Sequence, residues 1–283
     1  MIAHGFAEPR QPARVVLLGS RGFVGAAIAR RLITESVNHI GIGSSEVDLS
    51  DASAVAKLTG ILKPTDAVVM LSALTPDKGR DAATLMKNLA MMQHLCRALE
   101  TTGCAHLVYF SSDAVYSFAS GLVSEDTAPA PQDLYGMMHL ARETMARSLP
   151  KTAVLILRPT GIYGAGDTHN AYGPNRFRRT AEKEGKIQLF GAGEETRDHI
   201  QVDDVAAITA RCLMHRSGGT LNLASGRSLP FHRVAEIIAK EFPRAIEIVR
   251  APRANPITHR HYDVTKLMKA FPDIRLTMLD EAR

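Results

Sequence analysis

The feature that most constrains the fold is a glycine-rich segment, GSRGFVG at residues 19–25, which directly follows the apolar run RVVLL at residues 14–18. The next residues place apolar side chains at Val24, Ile28 and Leu32, the spacing of a helix that buries one face. A strand, a tight glycine loop and a helix in this order predict the first βαβ unit of a parallel sheet.

Each glycine of this loop has a physical reason. Gly19 permits a tight turn, Gly22 leaves the backbone open to an approaching anion, and Gly25 permits close packing of helix on strand. Free N–H groups and the positive end of the helix dipole then favour a pyrophosphate. We therefore predict a dinucleotide site with contacts from Gly19, Arg21, Gly22, Phe23, Val24 and Gly25.

The rest of the chain continues the alternation of strands and helices. Apolar runs predict strands near residues 39–43, 67–71, 106–110 and 153–157, and VDLSD at 47–51 is strand-like. Helical patterns cover 52–62, 85–100 and 135–149. These elements predict an α/β fold, a Rossmann doubly wound parallel sheet with a smaller C-terminal substrate-binding portion. We expect a loose tail over 1–12, a dinucleotide-binding core over 13–160, and a substrate portion over 161–283 with segments returning to the core.

Composition excludes several other classes. The net charge of +5 suits an anionic ligand, but the basic residues are dispersed, which argues against nucleic acid as the partner. The apolar runs are too short to span a bilayer and the N-terminus has no apolar leader, so we expect no membrane association and a cytoplasmic location. Three cysteines without metal-ligand spacing predict reduced thiols and no metal site.

The choice of cofactor depends on the end of the second strand. Enzymes that prefer NAD place an acid there for the ribose 2′-hydroxyl, whereas residues 41–45 here read GIGSS and the nearest acid is Glu46, in the following element. Arg21 lies in the glycine loop, where a guanidinium could bind a 2′-phosphate. NADP is therefore favoured, and NAD stays possible.

Three further motifs follow along the chain in this order: SSDAVY at 111–116, YGMMH at 135–139 and RDHIQVDDV at 197–205. Together with the glycine loop they resemble the extended short-chain dehydrogenase/reductase superfamily, the NAD-dependent epimerase/dehydratase family of nucleotide-sugar epimerases and ketoreductases. The passage into VDLSD is also similar to the GDP-fucose synthase branch, which uses NADPH.

The resemblance implies roles for particular residues. Tyr135 becomes the general acid/base, Ser112 hydrogen-bonds the reacting oxygen, and His139 stands where the family has a Lys. It also implies further cofactor contacts from Ser44, Asp48, Leu49, Ala73 and Asn88, and substrate contacts from Asp113, Arg176, Leu189, Arg197 and Arg250. Ala114 replaces the second carboxylate of the dehydratases, which leaves epimerisation or keto reduction.

His139 keeps the functional prediction open. A Lys one turn after the Tyr holds the nicotinamide ribose and lowers the Tyr pKa, whereas a His is mostly neutral unless a carboxylate supports it. Our first hypothesis is an NAD(P)-dependent epimerase or reductase of a nucleoside-diphosphate sugar. The alternatives are a catalytically silent dinucleotide-binding subunit and a reductase of a smaller keto or hydroxy compound. The resemblance further implies a homodimer formed through the helices that start near Leu85 and Tyr135.

Overall fold

The computed structural model describes residues 2–150 and 152–281. Its strands, in chain order, are β1 (Arg14–Leu18), β2 (His39–Ile42), β3 (Asp66–Met70), β4 (His106–Phe110), β5 (Leu122–Val123), β6 (Ala153–Pro159), β7 (Gly161–Tyr163), β8 (Lys186–Phe190), β9 (Thr196–Gln201), β10 (Gly219–Leu223), β11 (Ser228–Pro230), β12 (Glu247–Ala251) and β13 (His261–Tyr262). Its helices are α1 (Phe23–Thr34), α2 (Ala54–Ile61), α3 (Ala82–Thr102), α4 (Leu134–Arg147), α5 (Pro174–Glu184), α6 (Val202–Met214), α7 (Phe231–Ala239) and α8 (Thr265–Ala270).

A six-stranded parallel sheet with the order β10-β6-β4-β3-β1-β2 forms the centre of the fold. Side chains of a strand alternate between faces, so Val15 and Leu17 enter the core beneath α1 and α6, while Val16 and Leu18 enter the core beneath α2 and α3. Both faces of the sheet are thus covered, as a parallel sheet requires. The predicted Rossmann fold is confirmed.

The VDLSD segment, residues 47–51, is a pair of turns rather than a strand. The Asp48 carboxylate accepts a hydrogen bond from the Ser50 N–H at 2.9 Å, and the Asp51 carboxylate accepts one from Ser53 at 2.8 Å. Such local bonds compete with strand pairing and favour turns. The β-branched and apolar residues of the segment, Val47 and Leu49, are buried beside the sheet instead.

The N-terminal segment differs from the expected loose tail. Ala3 exchanges two backbone hydrogen bonds with Gly218, and Phe6 donates one to the His215 carbonyl at 3.0 Å. The His4 imidazole bonds the Ser217 hydroxyl at 2.8 Å. The segment from residue 3 to residue 10 is therefore bound to the loop after α6, since its backbone groups find partners there.

The C-terminal part combines a second, smaller core with elements that return to the first. Strand β10 and helix α6 complete the central sheet and its cover, whereas α5, α7 and β8 enclose a separate cluster around Phe177 and Phe231.

Within residues 2–150 and 152–281, no helix is long and apolar enough to cross a membrane. All three cysteines are free and buried, and burial raises the pKa of Cys96 and Cys104 to about 11 and that of Cys212 to about 12.

Candidate active site

The candidate residues meet at the carboxyl ends of the central strands. Gly19 follows β1, Ser72 follows β3 and Ser112 follows β4. The chain continues from β1 to β2 on one side of the sheet, and from β3 to β4 and β6 on the other side. In open parallel sheets, ligands bind in the crevice outside the strand ends at such a switch point. A Cβ placed on Gly19 would lie 2.9 Å from the Ser72 hydroxyl oxygen, so the two loops are in close contact.

The glycines of the loop have three different local environments. Gly19 has a φ of +95°, a conformation that favours glycine. A Cβ on Gly25 would lie 2.3 Å from the Gly19 carbonyl oxygen, so this glycine permits the helix to pack on the loop. Gly22 is extended, and its nearest neighbour to a Cβ is the Gly19 oxygen at 3.4 Å. The space outside Gly22 is therefore open to a ligand.

The N-terminus of α1 is available to an anion. Its N-cap is Gly22, and among the described residues no side chain accepts from its first turn, which also lacks acidic residues. By contrast, Asp81 caps α3 by accepting from Thr84 at 2.8 Å, and Asp133 caps α4 by accepting from Gly136 at 2.7 Å. Uncapped N–H groups and the helix dipole fit a pyrophosphate. This site therefore fits a dinucleotide.

A carboxylate, that of Glu46, and a guanidinium, that of Arg21, lie at the end of β2. The Glu46 carboxylate accepts from the Gly43 N–H at 2.9 Å, which brings it back to the strand end, and it forms an ion pair with Arg21. The Arg21 guanidinium also donates to the Ser45 hydroxyl at 2.8 Å. Our expectation that the strand end lacks an acid is wrong, because a turn after Gly43 returns Glu46 to it.

The other predicted cofactor contacts are spread around this crevice. Asn88 is buried, and its amide binds both the N–H and the carbonyl of Leu74 at 2.8 and 3.0 Å, so it shapes the loop that contains Ala73. Ser44 and Asp48 are exposed at the surface. Leu49 is buried, and its carbonyl accepts from His94 at 2.8 Å.

Tyr135 and Ser112 lie together where α4 meets the end of β4. Gly136 makes this contact possible, because a Cβ there would lie 2.2 Å from the Ala114 carbonyl oxygen. Burial raises the pKa of Tyr135 above its ordinary value, and the Asp113 carboxylate adds to the rise. Arg142 and the nearby Ser112 hydroxyl oppose it. The phenol is thus protonated at neutral pH, ready to donate a proton.

His139 lies one turn beyond Tyr135, and their rings meet edge to face at a centroid distance of 4.6 Å. The side chain is buried, and its Nδ1 is 2.7 Å from the Tyr109 hydroxyl oxygen. Burial and the nearby Arg142 lower the pKa of His139 well below its ordinary value. Among the described residues no carboxylate contacts the ring, so the imidazole is neutral at physiological pH.

A buried ion pair that the site prediction did not include supports this helix. The Arg158 guanidinium donates to both oxygens of Glu143, at 2.8 and 2.6 Å, and the Ser111 hydroxyl donates to the same carboxylate at 2.6 Å. Burial alone would raise the pKa of Glu143, but Arg158 and Ser111 outweigh it and lower the pKa. The pair ties α4 to the ends of β4 and β6.

Asp113 belongs to a second cluster that sequence reasoning missed. Its carboxylate accepts from the Arg260 guanidinium at 3.2 Å and from the Tyr262 hydroxyl at 2.8 Å. Arg260 is buried and lies 4.3 Å from the centre of the Phe118 ring. In the HRH segment at 259–261, the central residue therefore points inward. No pattern in the sequence singled it out, because its partner is 147 residues away.

The remaining substrate candidates are divided among three places. Arg176 lines a surface cleft together with Tyr172, Gln188 and Phe190, whereas the Leu189 side chain faces the core and is 2% exposed. The other two lie apart: Arg197 bonds the carbonyl and hydroxyl of Thr258 at 2.8 and 2.6 Å, and Arg250 is exposed on β12.

The comparisons agree with this geometry. The family model described as the NAD dependent epimerase/dehydratase family matches residues 15–224, so the chain belongs to that family, within the extended short-chain dehydrogenase/reductase superfamily. Among solved structures, RMD from Pseudomonas aeruginosa complexed with NADPH is 23% identical with a TM-score of 0.82, covering 95% of both chains.

Two other solved structures are similar over the same extent. MoeE5 in complex with UDP-glucose and NAD is 24% identical with a TM-score of 0.81, covering 95% of both chains. A GDP-L-fucose synthetase from Naegleria fowleri bound to NADP is 17% identical with a TM-score of 0.84, covering 100% of this chain and 95% of that one. At these identities the likeness establishes the fold.

Proposed function

We propose that the protein is an NAD(P)-dependent oxidoreductase or epimerase of a nucleoside-diphosphate sugar. The observation that carries the proposal is the meeting of Tyr135, Ser112 and His139 beside an uncapped α1 N-terminus at the same sheet edge. The solved structures lend support, since MoeE5 is complexed with UDP-glucose and NAD. A bound nicotinamide supplies a hydride acceptor or donor.

The residues of this chain handle the proton. In keto reduction the Tyr135 phenol gives its proton to the carbonyl oxygen as hydride reaches the carbon; in oxidation of a sugar hydroxyl the Tyr135 phenolate takes the hydroxyl proton as hydride leaves the carbon. The Ser112 hydroxyl hydrogen-bonds the reacting oxygen and stabilises charge as it develops. His139 holds the ribose as a neutral donor. Because the Tyr135 pKa is raised, the phenol holds its proton at neutral pH, which is the form from which keto reduction starts.

The cleft at Arg176 is the proposed site of the nucleotide base. Tyr172 and Phe190 supply aromatic faces, and Gln188 supplies polar groups for the base edge. Gln188 and Phe190, rather than Leu189, are the proposed contacts, because the Leu189 side chain faces the core. The Arg176 guanidinium suits the diphosphate.

NADP remains the proposed preference, on the strength of Arg21. Its guanidinium lies at the end of β2 beside Ser45, where a 2′-phosphate belongs. Glu46 competes for the same guanidinium and can accept from a ribose 2′-hydroxyl, which keeps NAD as a possible cofactor.

A homodimer through α3 and α4 is also proposed. The two helices pack side by side, and each exposes a large apolar side chain, with Met86 61% and Met137 52% exposed. Light scattering of the purified protein measures the mass directly. A monomer at micromolar concentration would contradict the proposal.

One observation favours a second function, a catalytically silent dinucleotide-binding subunit: His139 is neutral and buried, so it brings no cation to Tyr135. The test is to measure NAD and NADP binding by calorimetry, then follow the absorbance of the reduced nicotinamide with a panel of nucleotide sugars and their keto forms. An enzyme changes this absorbance with at least one of them. Binding without any change supports the silent subunit, and no binding rejects both functions.

A further inference from the structure

The two ring nitrogens of His139 have different environments. Nδ1 is 2.7 Å from the Tyr109 hydroxyl oxygen, whereas Nε2 is buried without a hydrogen-bond partner among the described residues. Leaving a buried donor or acceptor unpaired costs about 1–3 kcal/mol. An unpaired ring nitrogen beside Tyr135 therefore points to a ligand that completes its hydrogen bond.

Tyr109 determines which nitrogen carries the proton. The Tyr109 side chain is buried, with 1% of its surface exposed, and burial raises the pKa of its hydroxyl, so the phenol keeps its proton. Among the described residues, His139 is the one hydrogen-bond partner of the Tyr109 hydroxyl; the Arg142 guanidinium lies over the Tyr109 ring, 5.1 Å from its centre, but a guanidinium cannot accept a hydrogen bond. The Tyr109 proton is therefore donated to Nδ1 of His139, which leaves the N–H on Nε2.

Arg142 lies one turn beyond His139 on the same face of α4 and is 0% exposed. Its guanidinium donates to the Ser72 carbonyl at 2.8 Å, and its Nε has no partner in the part of the chain that the structure describes. Within residues 2–150 and 152–281 it forms no ion pair, because the adjacent Glu143 is held by Arg158. A buried cation without a carboxylate is unfavourable by several kcal/mol, which indicates a functional role.

We propose that Tyr109 is a positioning residue that fixes His139 as the neutral Nε2–H tautomer, and that Arg142 supplies the positive charge that a Lys at position 139 would carry. The two tasks that the family resemblance assigns to one Lys are thereby divided between two side chains. The inference rests on the proposed function, because the Nε2 N–H is assigned to a hydroxyl of the cofactor ribose. Arg142 also joins α4 to Ser72, which contacts the Gly19 turn.

The charge of Arg142 acts on Tyr135, whose pKa it lowers against the effects of burial and Asp113. The titratable and charged groups that face this cluster come from several elements: Tyr135, Arg142 and Glu143 on α4, Asp133 at its N-cap, Tyr109 on β4 and Asp113 after it. Loss of the Arg142 charge should therefore raise the pKa that governs proton transfer.

The first test reads the tautomer in the ligand-free protein. Long-range ¹H–¹⁵N spectra of histidine-labelled protein, with His139 assigned by His139→Gln, should show a neutral ring protonated at Nε2 that does not titrate between about pH 6 and 9. Tyr109→Phe should give a mixture of tautomers and weaken NADPH binding about ten-fold. Tyr116→Phe, which removes another buried phenol that bonds Arg158 and Asn222, should leave the tautomer unchanged. An Nδ1–H ring in the native protein, or a tautomer insensitive to Tyr109→Phe, overturns the proposal.

The second test concerns the charge. Arg142→Met should shift the pH profile of turnover upward by about one unit, whereas Arg142→Lys, which keeps the cation, should restore it. Equal profiles for the two variants overturn the role of Arg142. If the wild-type protein binds neither NAD nor NADP, the proposed function fails and the ribose assignment fails with it. Normal wild-type binding that Tyr109→Phe leaves unaltered rejects this inference alone.

Discussion

Replacing Gly22 by Val should separate cofactor binding from folding. The backbone at Gly22 has φ −72° and ψ 166°, a conformation open to Val, and a Cβ there would lie 3.4 Å from its nearest neighbour, the Gly19 oxygen. Val is a poorer N-cap than Gly, which lowers the free energy of unfolding by about 1 kcal/mol. The fold should therefore survive.

Binding should not survive, because the branched side chain fills the space through which a pyrophosphate reaches the backbone. Hydrogen bonds to a charged group contribute about 1.5–3 kcal/mol each, so losing two corresponds to roughly a hundred- to ten-thousand-fold loss of affinity. Calorimetry with NAD and NADP measures this, and urea unfolding checks stability. Gly60→Val on α2 is the matched control, since nothing lies within 4 Å of a Cβ there. Unchanged affinity of Gly22→Val for both cofactors would refute the site.

Three further predictions concern charge. Arg21→Ala should weaken NADP by about ten- to a hundred-fold and leave NAD nearly unchanged, because only NADP carries the 2′-phosphate; equal losses by calorimetry would contradict the NADP assignment. Glu143→Gln leaves Arg158 buried without its counter-charge and should lower the free energy of unfolding in urea by about 3–5 kcal/mol, against less than about 1 for Glu241→Gln in the exposed pair with Arg178. Folding lowers the Glu143 pKa below its ordinary 4.5, so the stabilisation that the ion pair contributes is full above pH 4.5 and is lost as the pH falls through the folded-state pKa. A loss under about 1 kcal/mol for Glu143→Gln would argue against the pair. His139→Lys should raise turnover in the direction that oxidises a sugar hydroxyl at neutral pH and move the pH profile of that reaction downward, since a fixed cation favours the Tyr135 phenolate, whereas a variant that binds cofactor but stays inactive with every nucleotide sugar would favour the silent subunit.

The central sheet and the dinucleotide loop could be predicted because their signals are local. Strand β4, for example, has the predicted bounds, and the glycine loop lies between β1 and α1 as expected. The VDLSD segment was misjudged because its Asp and Ser side chains bond their own backbone, a choice that hydrophobic alternation does not reveal.

Only the residues of the site that lie in sequence motifs could be predicted. Tyr135, Ser112 and His139 were named from the family resemblance of their motifs, but the state of His139 depends on Tyr109, a residue of another element that lies in an ordinary apolar strand. Arg260 likewise meets Asp113 across most of the chain. Long-range partners of this kind set burial and pKa, which no local pattern encodes.

The most direct test of the proposed function is the single-turnover reaction of Tyr135→Phe. Native protein is loaded with reduced or oxidised nicotinamide, mixed with the nucleotide sugar that it converts, and followed at the absorbance of the reduced nicotinamide. Tyr163→Phe, a buried phenol that bonds the Thr277 carbonyl outside the site, serves as the control. The proposed mechanism predicts that Tyr135→Phe binds both ligands but loses at least about a hundred-fold in rate, while Tyr163→Phe keeps it. A Tyr135→Phe rate equal to the native rate would contradict the assignment of Tyr135 as the proton donor and acceptor.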